Sequence, residues 1–397
     1  MNTFATRLDQ IPFSGIRKVF DKVKELESAG KDVIHWQIGR PDFDTPEHIK
    51  DAAAAALKRG EVHYAPNLGL PALRKAIGNR TTVDTGIKVD GEKQSIVMAG
   101  ANEGILTAMM ALVNPGDEVL VSDPNWHHYK AIITLAGGIP IEVPTRAEDG
   151  FAMTADQVGR LITKRTKMLC ITSPGNPTGC VQSKESLEAL AALAIKHDLF
   201  VMSDEIYARI FYGQGAVAPS IYSIPGMAER TIIINGFSKT YAMDGWRLGW
   251  TVASEDVTRA ILKIRQYTTV CVNTFIQHGA AAGLNGDQAC VDAMVKEFSR
   301  RRTIMLAGLR SIPGVTVPEP LGAFYVFPDF SAYGKSSAEL GDYLLNDHAI
   351  ATVAGSVFGA SGEGHLRMAY SCSAEECTRG LERLKTALAS IGLKSKA

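Results

Sequence analysis

The sequence predicts an α/β protein in which a large domain is joined to a smaller α+β domain. Three features predict it: the length, an alternation of strands and helices, and a change of pattern after about residue 285. A chain of 397 residues exceeds what one small hydrophobic core normally organises. Apolar strands that alternate with helices indicate a mainly parallel sheet covered on both faces.

The large domain is predicted over residues 46–285. It opens with an alanine-rich helix that runs from Pro46 to about Lys58, before the stop signal of Gly60. Apolar runs predict strands at 95–100, 118–123, 140–144, 167–172, 199–204, 230–236 and 248–254. Helices are predicted at 102–112, 126–136, 154–163 and 183–197. Ligands bind outside the carboxyl ends of the strands in such sheets, so we expect the chemically important residues there.

The two ends of the chain are predicted to form the smaller domain together. Residues 1–45 comprise an arm and a helix, which Ser14 could cap and Gly30 ends. Residues 286–397 form the remainder. From residue 255 onward we predict helices at 255–285, 288–310 and 374–391, and strands in VTVPEP, GAFYVFPD and HLRMAYS.

Composition and charge exclude several classes of protein. The 42 Lys and Arg residues balance 42 Asp and Glu residues, whereas a nucleic-acid-binding protein needs a basic surplus. No apolar stretch approaches the length of a membrane span, and the first residues lack the apolar run of a secretory signal. The six cysteines contain no C-x-x-C pair, so we expect reduced thiols and no metal site. These features together predict a cytoplasmic protein.

The segment richest in candidate catalytic and binding residues lies between Asn235 and Gly249. Lys239 is surrounded there by small, aromatic and apolar residues. Partial desolvation lowers the pKa of a lysine and makes its amine a competent nucleophile for a carbonyl. Ser238 and Arg247 could supply a hydroxyl and a guanidinium to a phosphate. A solvated surface lysine is the alternative that these residues alone leave open.

This segment resembles the S-K-x-x-x-M-x-G-W-R-x-G signature of class I/II aminotransferases, which are pyridoxal-phosphate (PLP) enzymes of fold type I. Further stretches are similar to that family's motifs in the same order, namely Thr172–Gly179, Ser203–Tyr207, His365–Tyr370, and flanking elements at 39–43, 64–69 and 322–325. The likeness extends from about Ile11 to Leu393. It implies an aspartate aminotransferase-like architecture, with a seven-stranded sheet between helices in the large domain.

The resemblance implies a catalytic set of Lys239, Asp204 and Tyr207. Lys239 would hold PLP as a Schiff base, and Asp204 would keep the pyridine nitrogen protonated, because a nearby opposite charge raises its pKa. Asn176 and Tyr207 would donate to the phenolate oxygen of PLP, and Trp126 would stack on its ring. Taken singly, Asp204 could be a helix N-cap, Asn176 a turn residue and Trp126 part of the core.

The phosphate of PLP is expected at the start of the helix that follows residue 100. The backbone amides of Ala101 and Asn102 are positioned there, and Ser238 and Arg247 add side-chain contacts. By resemblance, Tyr64 reaches the phosphate of the neighbouring subunit. That arrangement implies a homodimer with shared active sites, and a two-fold dimer is the commonest closed assembly.

Substrate binding is assigned to Arg367, Gly39 and Asn176. A planar guanidinium binds a carboxylate bidentately, so Arg367 is the candidate for the α-carboxylate, with a salt bridge inside the small domain as the alternative. Gly39 would let the backbone approach the substrate closely. Some relatives that use dicarboxylates have a lysine where this chain has Asn102, which weakens an aspartate-specific interpretation.

The sequence leaves two interpretations open for each of three further side chains, those of Arg40, His127 and His128. Arg40 either meets a distal carboxylate or is a surface charge. His127 and His128 either bind substrate and take part in the chemistry, or are neutral residues that pack or face solvent.

The resemblance implies an aminotransferase that moves the amino group of an L-amino acid to a 2-oxo acid, 2-oxoglutarate or pyruvate, by a ping-pong cycle. The freed amine of Lys239 would be the base that moves the α-proton. β-Eliminating lyases and a few amino-acid oxidases or cyclising enzymes share the scaffold, and the cofactor residues do not separate these outcomes. A regulator built on this fold usually carries a DNA-binding segment, for which we expect no room before the first motif.

Overall fold

The computed structural model describes residues 4–394, which form twelve strands and thirteen α-helices. The strands are β1 (Ile34–His35), β2 (Ser95–Met98), β3 (Glu118–Asp123), β4 (Ile139–Pro144), β5 (Thr166–Thr172), β6 (Phe200–Asp204), β7 (Thr231–Gly236), β8 (Gly249–Val252), β9 (Tyr325–Val326), β10 (Ile350–Ala351), β11 (Val353–Ala354) and β12 (Leu366–Ala369). The helices are α1 (Gly15–Ser28), α2 (Glu47–Lys58), α3 (Pro71–Thr85), α4 (Gly91–Gln94), α5 (Ala101–Leu112), α6 (His128–Leu135), α7 (Ala155–Gly159), α8 (Lys184–Lys196), α9 (Glu255–Arg265), α10 (Thr274–Asn285), α11 (Ala289–Arg310), α12 (Ser337–His348) and α13 (Ala374–Ile391).

A seven-stranded sheet in the order β2-β8-β7-β6-β5-β3-β4 forms the centre of the protein. Strand β8 runs antiparallel to both of its neighbours, and all other adjacent pairs are parallel. The prediction of a mainly parallel sheet made from these seven runs is therefore confirmed.

Both faces of the central sheet are buried, which explains why its strands read as continuous apolar runs. Along β3, Val119 and Val121 pack with residues of α5, α6 and α9 on one face. The intervening Leu120 packs with Leu187 and Leu190 of α8 on the other face. Successive side chains of a strand point to opposite faces, so one strand contributes to two cores.

The C-terminal part contains a three-stranded antiparallel sheet in the order β11-β12-β9. The N-terminal segment joins it, because β1 pairs in parallel with β10. Ile34 and Trp36 pack in the same hydrophobic core as residues of α11 and α13. This packing agrees with a small domain assembled from both ends of the chain, although the boundaries at 45 and 285 stay predictions.

Several predicted elements are wrong in extent. The helix predicted at 255–285 is two helices, α9 and α10, separated by residues 266–273. Arg265, at the end of α9, is fully buried and donates to the carbonyls of Asn67 and Val97. Val270 in the break has a φ of 61°, which a continuous helix does not allow. Ser14 precedes α1, but its side chain makes no capping hydrogen bond.

The C-terminal strands are also shorter than predicted. VTVPEP is not a strand, since only an isolated bridge joins Thr316 to Asp329, and its two prolines cannot donate to a ladder. In GAFYVFPD the strand is confined to β9, because Ala323 adopts a φ of 57°. The predicted helix at 154–163 is the shorter α7.

The carboxyl ends of the central strands bring distant segments together at one edge of the sheet. β5 ends at Thr172, β6 at Asp204 and β7 at Gly236, and α5 begins shortly after β2. Within residues 4–394, no helix combines the length and apolar character that crossing a bilayer requires.

Candidate active site

A cavity of about 350 Å³ lies at this edge, within the range of small-molecule sites, roughly 300–1,000 Å³. The residues that line it are Ile16, Phe20, Gln37, Gly39, Ala101, Asn102, Trp126, His128, Thr172, Asn176, Asp204, Ile206, Tyr207, Ser238, Lys239, Asp244, Arg247, Tyr325 and Arg367. Every residue predicted for the site lies in this cavity except Tyr64.

Lys239 follows β7 and extends its amine into the cavity. Its Nζ donates to the backbone carbonyl of Gly39 at 2.5 Å and lies 6.0 Å from the ring centroid of Tyr207. Burial lowers the pKa of the Lys239 amine to about 8; Asp244 opposes this shift, while Arg367 and other nearby positive charge add to it. The amine can therefore lose its proton close to neutral pH, as a nucleophile or a base requires.

Asp204 ends β6 and presents a buried carboxylate to the cavity. Burial raises the pKa of this carboxyl to about 6, and hydrogen bonds from the Tyr129 hydroxyl and the Ile206 amide limit the rise. Thr172 donates to the same Tyr129 hydroxyl at 3.1 Å. No helix begins at Asp204, so the N-cap alternative is wrong. A positively charged group facing this carboxylate would keep it ionised at neutral pH.

The start of α5 and Arg247 enclose the end of the cavity that we call the phosphate end. Gly100 precedes the helix with a φ of 84°, and a methyl group there would lie 2.7 Å from Nη2 of Arg247. The first amides of a helix, here those of Ala101 and Asn102, lack intrahelical acceptors and favour anions. Ser238 lines the same cavity. This end has the donors and the charge that a phosphate requires.

Two tyrosines and Gly39 form the wall beside the lysine. The hydroxyl of Tyr207 is 2.8 Å from the hydroxyl of Tyr325. A methyl group on Gly39 would lie 2.6 Å from that Tyr325 hydroxyl. The absence of a side chain at residue 39 therefore allows the backbone to approach both Tyr325 and Lys239.

Arg367 projects from β12 with its guanidinium almost fully buried. Nη1 donates to the side-chain oxygen of Asn176 at 3.1 Å, and Nη2 donates to the carbonyl of Gln37 at 2.7 Å. Its guanidinium carbon lies 4.7 Å from the ring centroid of Tyr325 and 5.2 Å from that of Phe358. Among the described residues no carboxylate acts on Arg367, and its Nε has no partner, so the guanidinium remains available to an external carboxylate.

Trp126 and the two histidines after it adopt a compact arrangement. The rings of Trp126 and His128 stack at 4.1 Å with an interplanar angle of 10°. Burial lowers the pKa of His128, and burial together with the nearby His128 ring and Arg367 guanidinium lowers the pKa of His127 to about 4. Both rings are therefore neutral at pH 7. His128 lines the cavity, whereas His127 does not, and no described group hydrogen-bonds to its ring nitrogens.

Tyr64 and Arg40 lie outside the cavity. The Tyr64 residue is 89% exposed and lines a separate surface groove with residues 269 and 271–275. Arg40 is exposed and does not line the cavity beside its neighbour Gly39. In the single subunit Arg40 therefore lies at the surface, outside the cavity.

Sequence reasoning missed several residues of the site. Tyr129 lies one helical turn after Trp126, so its spacing could have indicated it. Tyr325 belongs to a segment that already resembled the family. Gln37, Ile16 and Phe20 carried no signal, because only tertiary packing brings them to the cavity.

The residues present fit PLP. Lys239 supplies an amine, Asp204 supplies a buried carboxylate, and the lack of a side chain at Gly100 lets the Arg247 guanidinium lie against a helix N-terminus. Lysine, carboxylate and anion site are the elements that binding of PLP requires.

Comparison with known proteins identifies the family. The model of class I and II aminotransferases matches residues 31–384. An aspartate aminotransferase of Pyrococcus abyssi is 41% identical, with 96% of this chain and 97% of that protein covered. Aromatic-amino-acid aminotransferase 2 of Thermococcus litoralis is 39% identical, with 96% and 97% covered.

Solved structures agree with this result. The aspartate aminotransferase of Thermus thermophilus with maleate has a TM-score of 0.93 at 36% identity, with 98% of this chain and all of that chain covered. The aspartate aminotransferase of Rhizobium meliloti has a TM-score of 0.93 at 33% identity, with 98% and 99% covered. The chain therefore belongs to the class I and II aminotransferases, PLP-dependent enzymes of fold type I that transfer amino groups between amino acids and 2-oxo acids.

Proposed function

We propose that this enzyme moves the amino group of an L-amino acid to 2-oxoglutarate or pyruvate, with Lys239 as the residue that moves the α-proton. One observation carries the proposal: a single cavity contains the Lys239 amine, the Asp204 carboxylate and the Arg367 guanidinium. The donor gives up its amino group and α-hydrogen and gains oxygen, and the acceptor undergoes the reverse change. No external oxidant is consumed.

Lys239 is suited to two successive tasks. Its lowered pKa makes the amine a nucleophile for the carbonyl of PLP and, once displaced by substrate, a base near neutral pH. Bound PLP supplies the electron sink that removal of the α-proton needs. The contact with the carbonyl of Gly39 holds Nζ next to the substrate side of the cavity.

Asp204 and the two donors Asn176 and Tyr207 would hold the cofactor in its reactive state. Asp204 would hold a proton on the pyridine nitrogen by charge pairing, with the Tyr129 hydroxyl fixing the carboxylate. The side-chain oxygen of Asn176 accepts from Arg367, which leaves the amide NH₂ free to donate to the phenolate oxygen. Trp126 has one face against His128 and the other for the cofactor ring.

Arg367 would bind and orient the α-carboxylate. Asn176 and the carbonyl of Gln37 fix the guanidinium plane, so the remaining N–H groups meet a carboxylate at little cost in side-chain entropy. The Gly39 backbone would lie beside the bound substrate, since it lines the same cavity as Arg367 and Lys239.

We further propose that the enzyme is a cytoplasmic homodimer in which Tyr64 reaches the neighbouring subunit's cavity. The exposure of Tyr64 supports this, as does its place in a groove outside its own active site. Sedimentation measurements test the dimer. The Tyr64→Phe variant tests the contact, because we expect it to bind PLP more weakly.

A half-reaction tests amino transfer directly. Purified enzyme loaded with PLP is mixed with one L-amino acid and no 2-oxo acid, and absorbance spectra are recorded. We expect the near-visible band to be replaced by that of pyridoxamine phosphate, with one 2-oxo acid formed for each active site. Adding pyruvate or 2-oxoglutarate should restore the band. Ammonia release with an unchanged band would instead identify an eliminating lyase.

A further inference from the structure

We infer that the substrate side-chain subsite of this enzyme prefers amino donors with neutral, apolar side chains over acidic ones. This inference rests on the proposed function and specifies its substrate class.

Each positively charged side chain that lines the cavity already has a proposed role in binding the cofactor or the α-carboxylate. Its lysine and arginine residues are Lys239, Arg247 and Arg367. Lys239 bonds to the cofactor, Arg247 lies at the phosphate end, and Arg367 meets the α-carboxylate. Within residues 4–394, no fourth lysine or arginine lines the cavity to pair with the distal carboxylate of a dicarboxylic substrate.

The remaining polar side chains near the substrate cannot replace that cation. Asn102 is uncharged, and it stands at the helix start where a lysine would have added charge. His128 lines the cavity, but burial lowers its pKa and keeps it neutral at pH 7. Arg40 is on the surface, and Asp244, which does line the cavity, would repel a second carboxylate.

Helix α1 covers the cavity with apolar groups. Ile16 and Phe20 are one helical turn apart and both line it. Phe20 remains 38% exposed, so its ring lies at the mouth, where a substrate side chain would meet it. Contact with these groups removes apolar surface from water and favours an apolar side chain.

The segment around Tyr64, which we propose reaches the neighbouring subunit's cavity, carries no lysine or arginine. The groove that contains Tyr64 is lined by residues 62–64, 269 and 271–275, and it has neither lysine nor arginine. Residues 61–69, the stretch that carries Tyr64, also lack both. A distal carboxylate would therefore be desolvated against apolar groups without a partner of opposite charge, which is strongly unfavourable.

The experiment compares amino donors on the wild-type enzyme. The half-reaction described above is run with L-leucine, L-methionine, L-phenylalanine, L-aspartate and L-glutamate, and kcat/KM is obtained from its rate. We expect at least one neutral donor to exceed both acidic donors by about tenfold or more. Preference for aspartate or glutamate would overturn the inference and leave amino transfer intact. If none of the five amino acids were converted, the proposed function itself would be overturned.

A charge-insertion pair tests the subsite. Phe20→Arg places a guanidinium at the mouth, and Phe20→Met is the matched control that keeps the position apolar. We expect Phe20→Arg to raise the aspartate-to-leucine ratio of kcat/KM by about tenfold, and Phe20→Met to leave the ratio near that of wild type. Equal ratios in the two variants would show that the substrate side chain does not meet α1, which contradicts the inference.

Discussion

The two sides of the cavity are built differently. The side that we propose holds the cofactor, the cofactor side, consists of Ala101, Asp204, Ser238, Lys239 and Arg247, all within a few residues of the end of a central strand or in the loop that follows it. The side that we propose binds the substrate, the substrate side, consists of Gln37, Gly39, Tyr325 and Arg367, which come from the N-terminal segment and the small antiparallel sheet. Hydrogen-bonded strands fix the cofactor side, whereas packing between separate parts of the molecule fixes the substrate side.

This difference suggests how one scaffold serves several substrates. Sheet register holds the cofactor residues in place whatever the small domain does. The substrate side can change through α1 or β12 without disturbing Asp204 or Lys239. Two contacts join the central sheet region to the remainder of the protein: Lys239 donates to Gly39 in the cavity, and outside it the Asp123 carboxylate accepts from the Ser361 hydroxyl at 2.8 Å.

The largest effect is expected on the cofactor side, from Lys239→Ala. Loss of both the Schiff-base amine and the base should lower kcat by about 10⁴-fold or more and abolish the near-visible absorption band. Absorbance spectra and steady-state kinetics check this. Lys184→Ala is the control, because its side chain is 75% exposed at the surface. A variant that kept the band would refute the assignment of Lys239.

On the substrate side, Arg367→Lys should act mainly on binding. Lysine keeps the charge but loses the bidentate geometry and cannot bond simultaneously to Asn176 and Gln37. We expect KM for the amino donor to rise about 10- to 100-fold, with the absorption band intact. Arg310→Lys, at a half-exposed surface arginine, is the control. A lost band with normal KM would place Arg367 on the cofactor side.

Tyr129→Phe removes one hydrogen bond from Asp204 and tests how much the cofactor side depends on its buried support. Because the Tyr129 hydroxyl lowers the pKa of Asp204, its loss should raise that pKa and weaken charge pairing with the pyridine nitrogen. We expect PLP to dissociate about tenfold more readily, as measured by fluorescence titration of the apoenzyme. KM for the amino donor should change little. The reverse pattern would argue against a cofactor role.

The smallest effect concerns pH. A lowered pKa means that the Lys239 amine loses its proton at lower pH than an ordinary lysine, so the apoenzyme should bind PLP faster as pH rises. The rate should increase about fivefold from pH 7 to pH 8 and level off above about pH 9, since the pKa of Lys239 is about 8. Stopped-flow absorbance measures it. A rate that still rises tenfold per unit above pH 9 would contradict the lowered pKa.

Much of the fold was predictable because its signals are local. All seven central strands appear as predicted, within two residues at each end, since continuous apolar runs between amphipathic helices have one stable arrangement. The break at 266–273 was not predictable, because it depends on the Arg265 guanidinium, which bonds to the carbonyls of Asn67 and Val97 far away in the chain. The same is true of the short strand β9, which positive φ at Ala323 limits.

The sequence by itself determined the family, the cofactor and the residues at the strand ends, because motif spacing and strand ends are properties of short stretches of chain. Only the tertiary structure decided the support of Asp204 by Tyr129, the surface position of Arg40, and the apolar cover from Ile16 and Phe20. These depend on contacts between residues far apart in sequence. Packing of whole elements sets such contacts, and no local pattern of residue types encodes them.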